Sequence, residues 1–324
     1  MHTVTAIEVP LPNDLREELI VFWQGVFETS YDEFCAVFDA KEKDYNHDIV
    51  YLVRKGEKLG GTCHLSHSIF NPELGGLGEV ATAPEFKRMG IAAVVCEAAR
   101  DEFFKHGGRA IFLGTGNPEA ARVYYRLGWR KLAGANIMVC IASGDSPETF
   151  LVDYYRKNEP VTIGQASVSD RISMIPLIAT PHNWQVLDAN AGIFSTRYVL
   201  LQSCMGLYPC YEALLEDGQG TWFGARSVSG ILVGLSTARF VNLGQCQVDG
   251  FIHQNFYNDW RKLVKKAVDW GFYKGAFTCR ATLSVEDLKK KSLFEDLGFK
   301  ETGSGEAFDI NGREVPAIQM EIRR

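Results

Sequence analysis

The chain has no long apolar run, no dense block of lysine and arginine, and no C-x-x-C among its eight cysteines. Each lack removes a class of protein. A helix needs roughly 20 uninterrupted apolar residues to span a bilayer and no segment approaches that, so no membrane partner is expected. The opening M-H-T-V-T-A-I-E-V-P lacks the basic start and apolar stretch of a secretory signal, which points to a soluble, cytoplasmic protein. A net charge of −6 without a basic cluster opposes a surface built to neutralise a nucleic-acid backbone, so nucleic acid is not an expected partner. The cysteines, at 35, 63, 96, 140, 204, 210, 246 and 279, sit mostly inside apolar runs such as V-V-C-E and I-M-V-C-I. They read as buried free thiols in a reducing compartment rather than a disulfide framework or a zinc site, and no metal is expected.

What is present is material for two cores. At 324 residues, 46% hydrophobic and 12% aromatic, the chain exceeds the usual size of a single domain. Thr5 to Val9 and Ile49 to Arg54 read as strands, with helical stretches at Leu15 to Phe27 and Tyr31 to Phe38 between them. The second strand turns through Lys55 to Lys58 into an apolar run at Leu59 to Ser66, and Leu77 to Thr82 is the next strand. From Arg88 to His106, apolar residues at Ile91, Val94, Val95, Ala98 and Ala99 keep helical spacing until Gly107 and Gly108 stop it. Ala110 to Leu113 is a short strand. Asn117 caps a helix with Pro118 in its first position, and Gly128 ends it. The expected order is β-α-α-β-β-β-α-β-α-β.

The turn-rich A-S-G-D-S-P-E after Ile141 marks a boundary, with Leu151 to Lys157 as a short helical connector. The expected division is 1–145, a linker at 146–160, and 161–324. Beyond it the first half recurs. Trp222 to Arg226 and Ile231 to Phe240 flank a turn as the earlier hairpin does, and Trp260, Leu263, Val264, Ala267 and Trp270 parallel the helix after Arg88. F-F-K-H-G-G-R-A-I-F-L matches G-F-Y-K-G-A-F-T-C at an offset of 167 between Gly108 and Gly275, and Y-Y-R-L-G-W matches L-F-E-D-L-G-F at 170 between Gly128 and Gly298. Two diverged copies of one domain are expected.

Residues 79 to 129 carry the chemistry. A strand entering a small-residue turn that opens a helix presents backbone N–H groups and the positive end of the helix dipole to a phosphate. Gly90 and Ala92 remove side chains that would keep the backbone of Arg88 to Ala92 away from a pyrophosphate. The plainer reading is a glycine that lets a helix pack on a strand. The turn Lys87-Arg88-Met89-Gly90-Ile91-Ala92, together with Asn117, Ala120, Tyr124, Gly128 and Trp129 in an N-x-x-A-x-x-x-Y-x-x-x-G-aromatic pattern, resembles the GNAT superfamily of acyl-CoA-dependent N-acyltransferases. The departure is Lys87 where Gln or Arg is usual, which keeps the charge and loses planar bidentate geometry.

The resemblance implies an α/β (α+β) fold of two GNAT-like domains, each a mixed, mostly antiparallel sheet flanked by helices. It also implies acetyl-CoA as co-substrate, with Thr82, Lys87, Arg88, Met89, Gly90, Ile91, Ala92 and Asn117 binding the cofactor. Tyr124 is implied as the acid that protonates the departing thiolate; as an alternative it packs on a buried face with Ala120 and Leu127. Asn117 either contacts the pantetheine arm or serves only as a helix cap. Glu79, His64 and His67 are candidate bases for the attacking amine, Glu79 foremost, and backbone amides near Thr82 would polarise the thioester carbonyl.

In the second copy the same offsets place Gln254, Tyr257 and Asp259 at Lys87, Gly90 and Ala92, and Asp287 and Phe294 at Asn117 and Tyr124. These changes predict a half that does not catalyse and walls an acceptor pocket or holds dimers together. The expected activity is acetyl transfer to a primary amine of a small molecule by a monomer or homodimer. An acyl-CoA-binding sensor without turnover and a protein N-acetyltransferase are the alternatives.

Overall fold

The computed structural model describes residues 2–31, 35–156 and 159–324. The first half runs β1 (Thr5–Glu8), α1 (Asn13–Phe27), α2 (Cys35–Phe38), β2 (Asn46–Lys55), β3 (Lys58–Ser68), β4 (Leu74–Thr82), α3 (Ile91–Lys105), β5 (Ala110–Gly114), α4 (Pro118–Arg126), β6 (Arg130–Lys131) and β7 (Ile137–Ile141). This is the order expected from the sequence with one addition, the two-residue β6. Residues 32–34, within the helix expected at Tyr31 to Phe38, lie outside the described residues, as does Lys157 at the end of the expected connector.

The strands form one sheet in the order β1-β2-β3-β4-β5-β7-β6. All pairs are antiparallel except β4 with β5. Strand alternation divides β2 between two cores. Val50 and Leu52 face α1, where Leu15, Leu19 and Trp23 fall on one side at helical spacing. Ile49, Tyr51 and Val53 face α3, whose Ile91, Val95, Ala99 and Phe103 line the opposite contact. A sheet covered on both faces explains why its strands read as apolar runs rather than as clean alternation.

The second half contains α5 (Pro147–Tyr154), β8 (Val161–Gln165), α6 (Met174–Ala179), β9 (Val186–Asp188), β10 (Ile193–Phe194), α7 (Leu207–Glu212), β11 (Gly220–Ser227), β12 (Leu232–Asn242), β13 (Gln245–Ile252), α8 (Trp260–Tyr273), β14 (Thr278–Ser284), α9 (Leu288–Asp296), β15 (Lys300–Ile310) and β16 (Arg313–Arg323). Its sheet reads β8-β11-β12-β13-β14-β16-β15, which superimposes strand for strand on the first sheet, including the parallel pair β13–β14. Helix α8 takes the place of α3 and α9 that of α4. Two mixed seven-stranded sheets flanked by helices give the α/β fold that the sequence implied.

The stretch 146–160, expected as a linker, carries α5. Ser146 caps this helix, and its Phe150, Leu151 and Tyr154 are buried together with Ala110, Phe112, Ile137, Val139 and Ile141 of the first sheet and with α6 and α7. The two halves therefore share a core. Gly76 marks how close they come: a Cβ there would lie 2.6 Å from a methyl of Ile172 and 3.2 Å from the Met205 sulfur. Among the described residues no helix is long and apolar enough to cross a membrane.

A shared core predicts that the halves unfold together. Differential scanning calorimetry of the full chain should show one transition. Phe112→Ala, which empties a fully buried ring site at that interface, should lower stability by about 3–5 kcal/mol. A fragment ending at residue 145 should bind hydrophobic dye, because it exposes the face made by Phe112, Ile137 and Val139.

Candidate active site

The site begins where β4 leaves its neighbours. β4 pairs with β5 only from Leu74 to Gly76, against Ala110 to Phe112, although both strands continue beyond. On its other edge the register with β3 slips between Thr62 and His64, so that β4 holds one extra residue there. That bulge contains Glu79, a non-glycine residue at φ 48°. A bulge bends its strand and re-aims a side chain. Here it swings β4 away from β5 and opens a fork in the sheet.

At its far end β4 passes through Thr82 and a short 3₁₀ turn at Pro84–Phe86 into Lys87, Arg88, Met89 and Gly90, all exposed. Arg88 and Gly90 both take left-handed backbone, φ 65° and 80°, and Gly90 stands at the N-cap of α3 without any side-chain cap. Successive residues of this kind turn their N–H groups to one side, at the positive end of a 15-residue helix. A Cβ at Gly90 would meet no protein atom within 4 Å. Space inside the fold therefore does not require glycine there; the backbone conformation and an open approach for an anion do. Ile91, by contrast, is buried against β3, and Ala92 is half-buried in the first helical turn. The residues present fit a diphosphate such as that of coenzyme A.

Tyr124 projects from α4 into the core shared with α3, 6% exposed, with its ring 6.3 Å from that of Trp129. Burial, with the Cys96 and Cys63 thiols nearby, pushes its phenol further above the ordinary value, so it holds its proton at neutral pH. Asn117 caps α4: its side-chain oxygen accepts from the N–H groups of Glu119 at 2.9 Å and Ala120 at 3.4 Å. It also lines a cleft of about 550 Å³ along α4, past Arg122, Tyr125 and Lys131, that does not include Tyr124.

Glu79 lies on the other face of the sheet from Tyr124. Its Oε2 is 3.0 Å from His64 Nδ1, and His64 Nε2 is 2.9 Å from Asp48 Oδ1. Burial pulls the imidazole down, but its hydrogen bonds to Asp48 and Glu79 and their charges overcome this and hold it at about 9. His64 is thus an imidazolium at neutral pH and donates to both carboxylates. Burial pushes Asp48 up, and the hydrogen bond and charge of His64, with Arg171, outweigh it and keep the carboxyl below its usual value. His67 is elsewhere. It points to the α3 face, where its Nε2 meets His47 Nδ1 at 3.1 Å, and burial with the neighbouring His47 lowers its affinity for a proton.

His64 and Glu79 open into a narrow slot completed by Phe38 and Glu42 on one side and by Arg171, Tyr208 and Glu212 of the second half on the other. Sequence reasoning brought Glu79 and His64 forward and missed Asp48, Glu42 and Arg171. A signal existed. Asp48 alternates with Val50 and Leu52, so it occupies a core-facing strand position where a carboxylate needs a cationic partner.

The second half has lost each of these features. β13 pairs with β12 without a slip from Gly234 to Phe240, so there is no bulge at the position of Glu79. Helix α8 starts at Trp260 with Asp259 at its N-cap. The structure therefore places Asp259, rather than Tyr257, opposite Gly90, which corrects the sequence offset by two residues. A carboxylate now occupies the anion position. Phe294 replaces Tyr124 and is fully buried, edge-on to Phe299.

The slot between β13 and α9 is filled by the chain itself. Asp287, at the head of α9, accepts from the N–H groups of Gln185 at 2.6 Å and Val186 at 3.1 Å. Lys290 donates to the carbonyls of Val186 and Leu187 and pairs with Asp249 at 2.6 Å, with no exposed surface. Asp249 in turn accepts from the N–H of Ala189. β9 thus lies as a plug in the second half's wedge.

A forked sheet with an uncapped anion turn on one side and a buried carboxylate–imidazole pair on the other defines a domain for coenzyme-dependent group transfer. Residues 13–129 match the acetyltransferase (GNAT) family, and this half of the chain is a GNAT acetyltransferase domain. No curated protein matches the chain. Among solved structures, a spermidine N-acetyltransferase SpeG chimera from Vibrio cholerae and hSSAT is 21% identical, spanning 50% of this chain and 95% of its own, with a TM-score of 0.41. The Vibrio cholerae spermidine N-acetyltransferase in complex with CoA and spermine is 20% identical over the same shares, with a TM-score of 0.40.

Two outcomes follow from this geometry. Calorimetry with coenzyme A should give one site per chain. Gly90→Asp, which adds bulk and charge at the anion turn, should abolish that binding, whereas Asp259→Ala, at the matching position of the second half, should leave it within about twofold; equal losses would refute a single working half. His64, raised from about 6.5 in the unfolded chain to about 9 in the fold, gives stability that is full below the lower value and fades as pH rises through the upper one. Thermal unfolding from pH 6 to 10 should show that decline in the native chain and not in His64→Gln.

Proposed function

We propose that the chain is an acyl-CoA-dependent N-acyltransferase that moves acetyl from acetyl-CoA to a primary amine of a small molecule by direct attack. The observation that carries this reading is the placement of Glu79. Its carboxylate is held by an imidazolium at the fork of a GNAT domain and faces a slot walled by the second half. Residues Arg88 to Ala92 hold the diphosphate on the uncapped start of α3, and the amides near Thr82 polarise the thioester carbonyl. Glu79 takes the proton of the acceptor ammonium, directly or through a water, so that the nitrogen lone pair is free to form the amide bond. The carbon–sulfur bond breaks as Tyr124 gives its proton to the departing thiolate from the other face of the sheet; the second proton, shed by the nitrogen as it becomes an amide, returns to Tyr124 through water, and the proton on Glu79 passes to solvent. The first half catalyses. The second half closes the acceptor side, and this favours a small amine over a peptide laid in an open groove.

The test is thiol release from acetyl-CoA across a panel of amines and peptides. Tyr124→Phe and Glu79→Gln should each lower kcat by about a hundredfold or more while coenzyme A binding stays unchanged. Binding without turnover of any amine would leave a sensor in place of an enzyme, and a peptide N-terminus preferred over every small amine would move the acceptor class to proteins.

A further inference from the structure

The residues that hold Glu79 do not end in the first half. Asp48 Oδ1 receives His64 Nε2 at 2.9 Å and faces Arg171 Nη2 at 3.4 Å. The same guanidinium donates to Ser66 Oγ at 3.1 Å and pairs with Glu42 at 2.8 Å through Nη1. Arg171 belongs to the second half, on the turn between β8 and α6, and is 5% exposed; Asp48 and His64 are 4% and 3% exposed. The side chains that face the imidazole are Asp48 from β2, Glu79 from β4 and the Phe38 ring at 5.1 Å from α2, and Arg171 reaches Asp48 from across the domain boundary. Glu42 and Glu212 flank Arg171 in the same slot.

We propose that Arg171 is a positioning residue acting across the domain boundary: it fixes Asp48, Asp48 fixes the His64 ring, and His64 holds Glu79 toward the acceptor. The proposal rests on the reading of Glu79 as the base. The geometry requires a chain of this kind, since Glu79 sits on a left-handed bulge and its carboxylate could turn away if Nδ1 of His64 were free to move. The ring has one rotational freedom that matters, and the bond from Nε2 to Asp48 removes it. Asp48 has a second acceptor direction, and Arg171 and Ser66 bear on that side of the ring pair. Deprived of Arg171, Asp48 would be a deeply buried carboxylate with a single cationic partner. The second half is on this account a working part of the catalytic site even though its own cofactor slot is plugged.

The experiment compares Asp48→Asn, Arg171→Gln and Arg171→Lys in the full chain, reading kcat with the best amine, coenzyme A affinity, and the His64 ring titration by NMR. Asp48→Asn removes a carboxylate from the ring and should lower the His64 midpoint by a unit or more from about 9. Arg171→Gln removes a competing cation and should raise it. Loosened packing would instead relax both toward about 6.5, so opposite shifts separate positioning from a merely structural role. Both variants should lower kcat at least about tenfold with coenzyme A affinity within twofold, and Arg171→Lys should recover part of the loss. Unchanged kcat in Arg171→Gln, or both midpoints moving down, overturns the proposal. If the native chain binds coenzyme A and turns over no amine, the proposed function fails by itself; the titrations then decide the coupling, and a His64 midpoint indifferent to Arg171→Gln overturns it.

Discussion

The extra residue in β4 at Glu79 is the constraint on which the first half depends. Without it β4 would stay in register with β3, run alongside β5, and close the sheet where the cofactor arm must pass. A left-handed non-glycine residue inside a strand costs on the order of 1–3 kcal/mol, and the surroundings hold it at two points. Thr62 Oγ1 donates to the Glu79 carbonyl at 2.9 Å, and Thr62 is itself fixed by the Trp23 indole N–H at 2.9 Å. His64, two residues further along β3 on the same face, holds the side chain. Helix α1 therefore contributes to the site without touching it.

The two halves treat the same place in one architecture differently. Their sheets share strand order and the parallel pair at the centre. In the first, β4 and β5 part beyond that pair and the helix start carries no side-chain cap. In the second, Asp259 stands at the N-cap of α8 and pairs with Lys262, the bulge is gone, and Lys290 is the centre of a buried polar knot with Asp249 and the backbone of β9. Burial and the neighbouring Asp249 push the carboxyl of Asp188 up to about 7. Such a knot is tolerable only because its donors and acceptors are nearly all matched. The plug fills that slot with polar groups of the chain itself.

The sequence was legible where local chemistry fixes local structure. Asn117-Pro118, the glycines at 90 and 128, and the spacing of Ile91, Val95 and Ala99 each correspond to a cap, a turn or a buried helix face, and the recurrence of Gly108 and Gly128 at Gly275 and Gly298 corresponds to two sheets of the same strand order. It was illegible where the site depends on register. Nothing local announces a bulge at Glu79, because a bulge is a relation between two strands. Arg171 stands 123 residues from Asp48, and a lone arginine in a turn gives no hint of its partner. The offset that set Tyr257 against Gly90 failed for a related reason, since it was fixed at Gly108 and Gly275, and the helix with its closing turn is two residues shorter in the second half, from Asp259 to Gly275, than in the first, from Gly90 to Gly108.

The plug in the second half also changes how the molecule responds to its surroundings. A ligand that binds only the folded form adds stability in proportion to the logarithm of its concentration, so a coenzyme bound as proposed at the start of α3 would couple folding to the size of the coenzyme pool. β9 is tethered to its slot and is present at a fixed, effectively saturating concentration. Its contribution is the same in a starved cell and a fed one. Because the halves share one core, the proposed cofactor would adjust the stability of the whole chain through the first half, above a constant baseline supplied by the plug in the second.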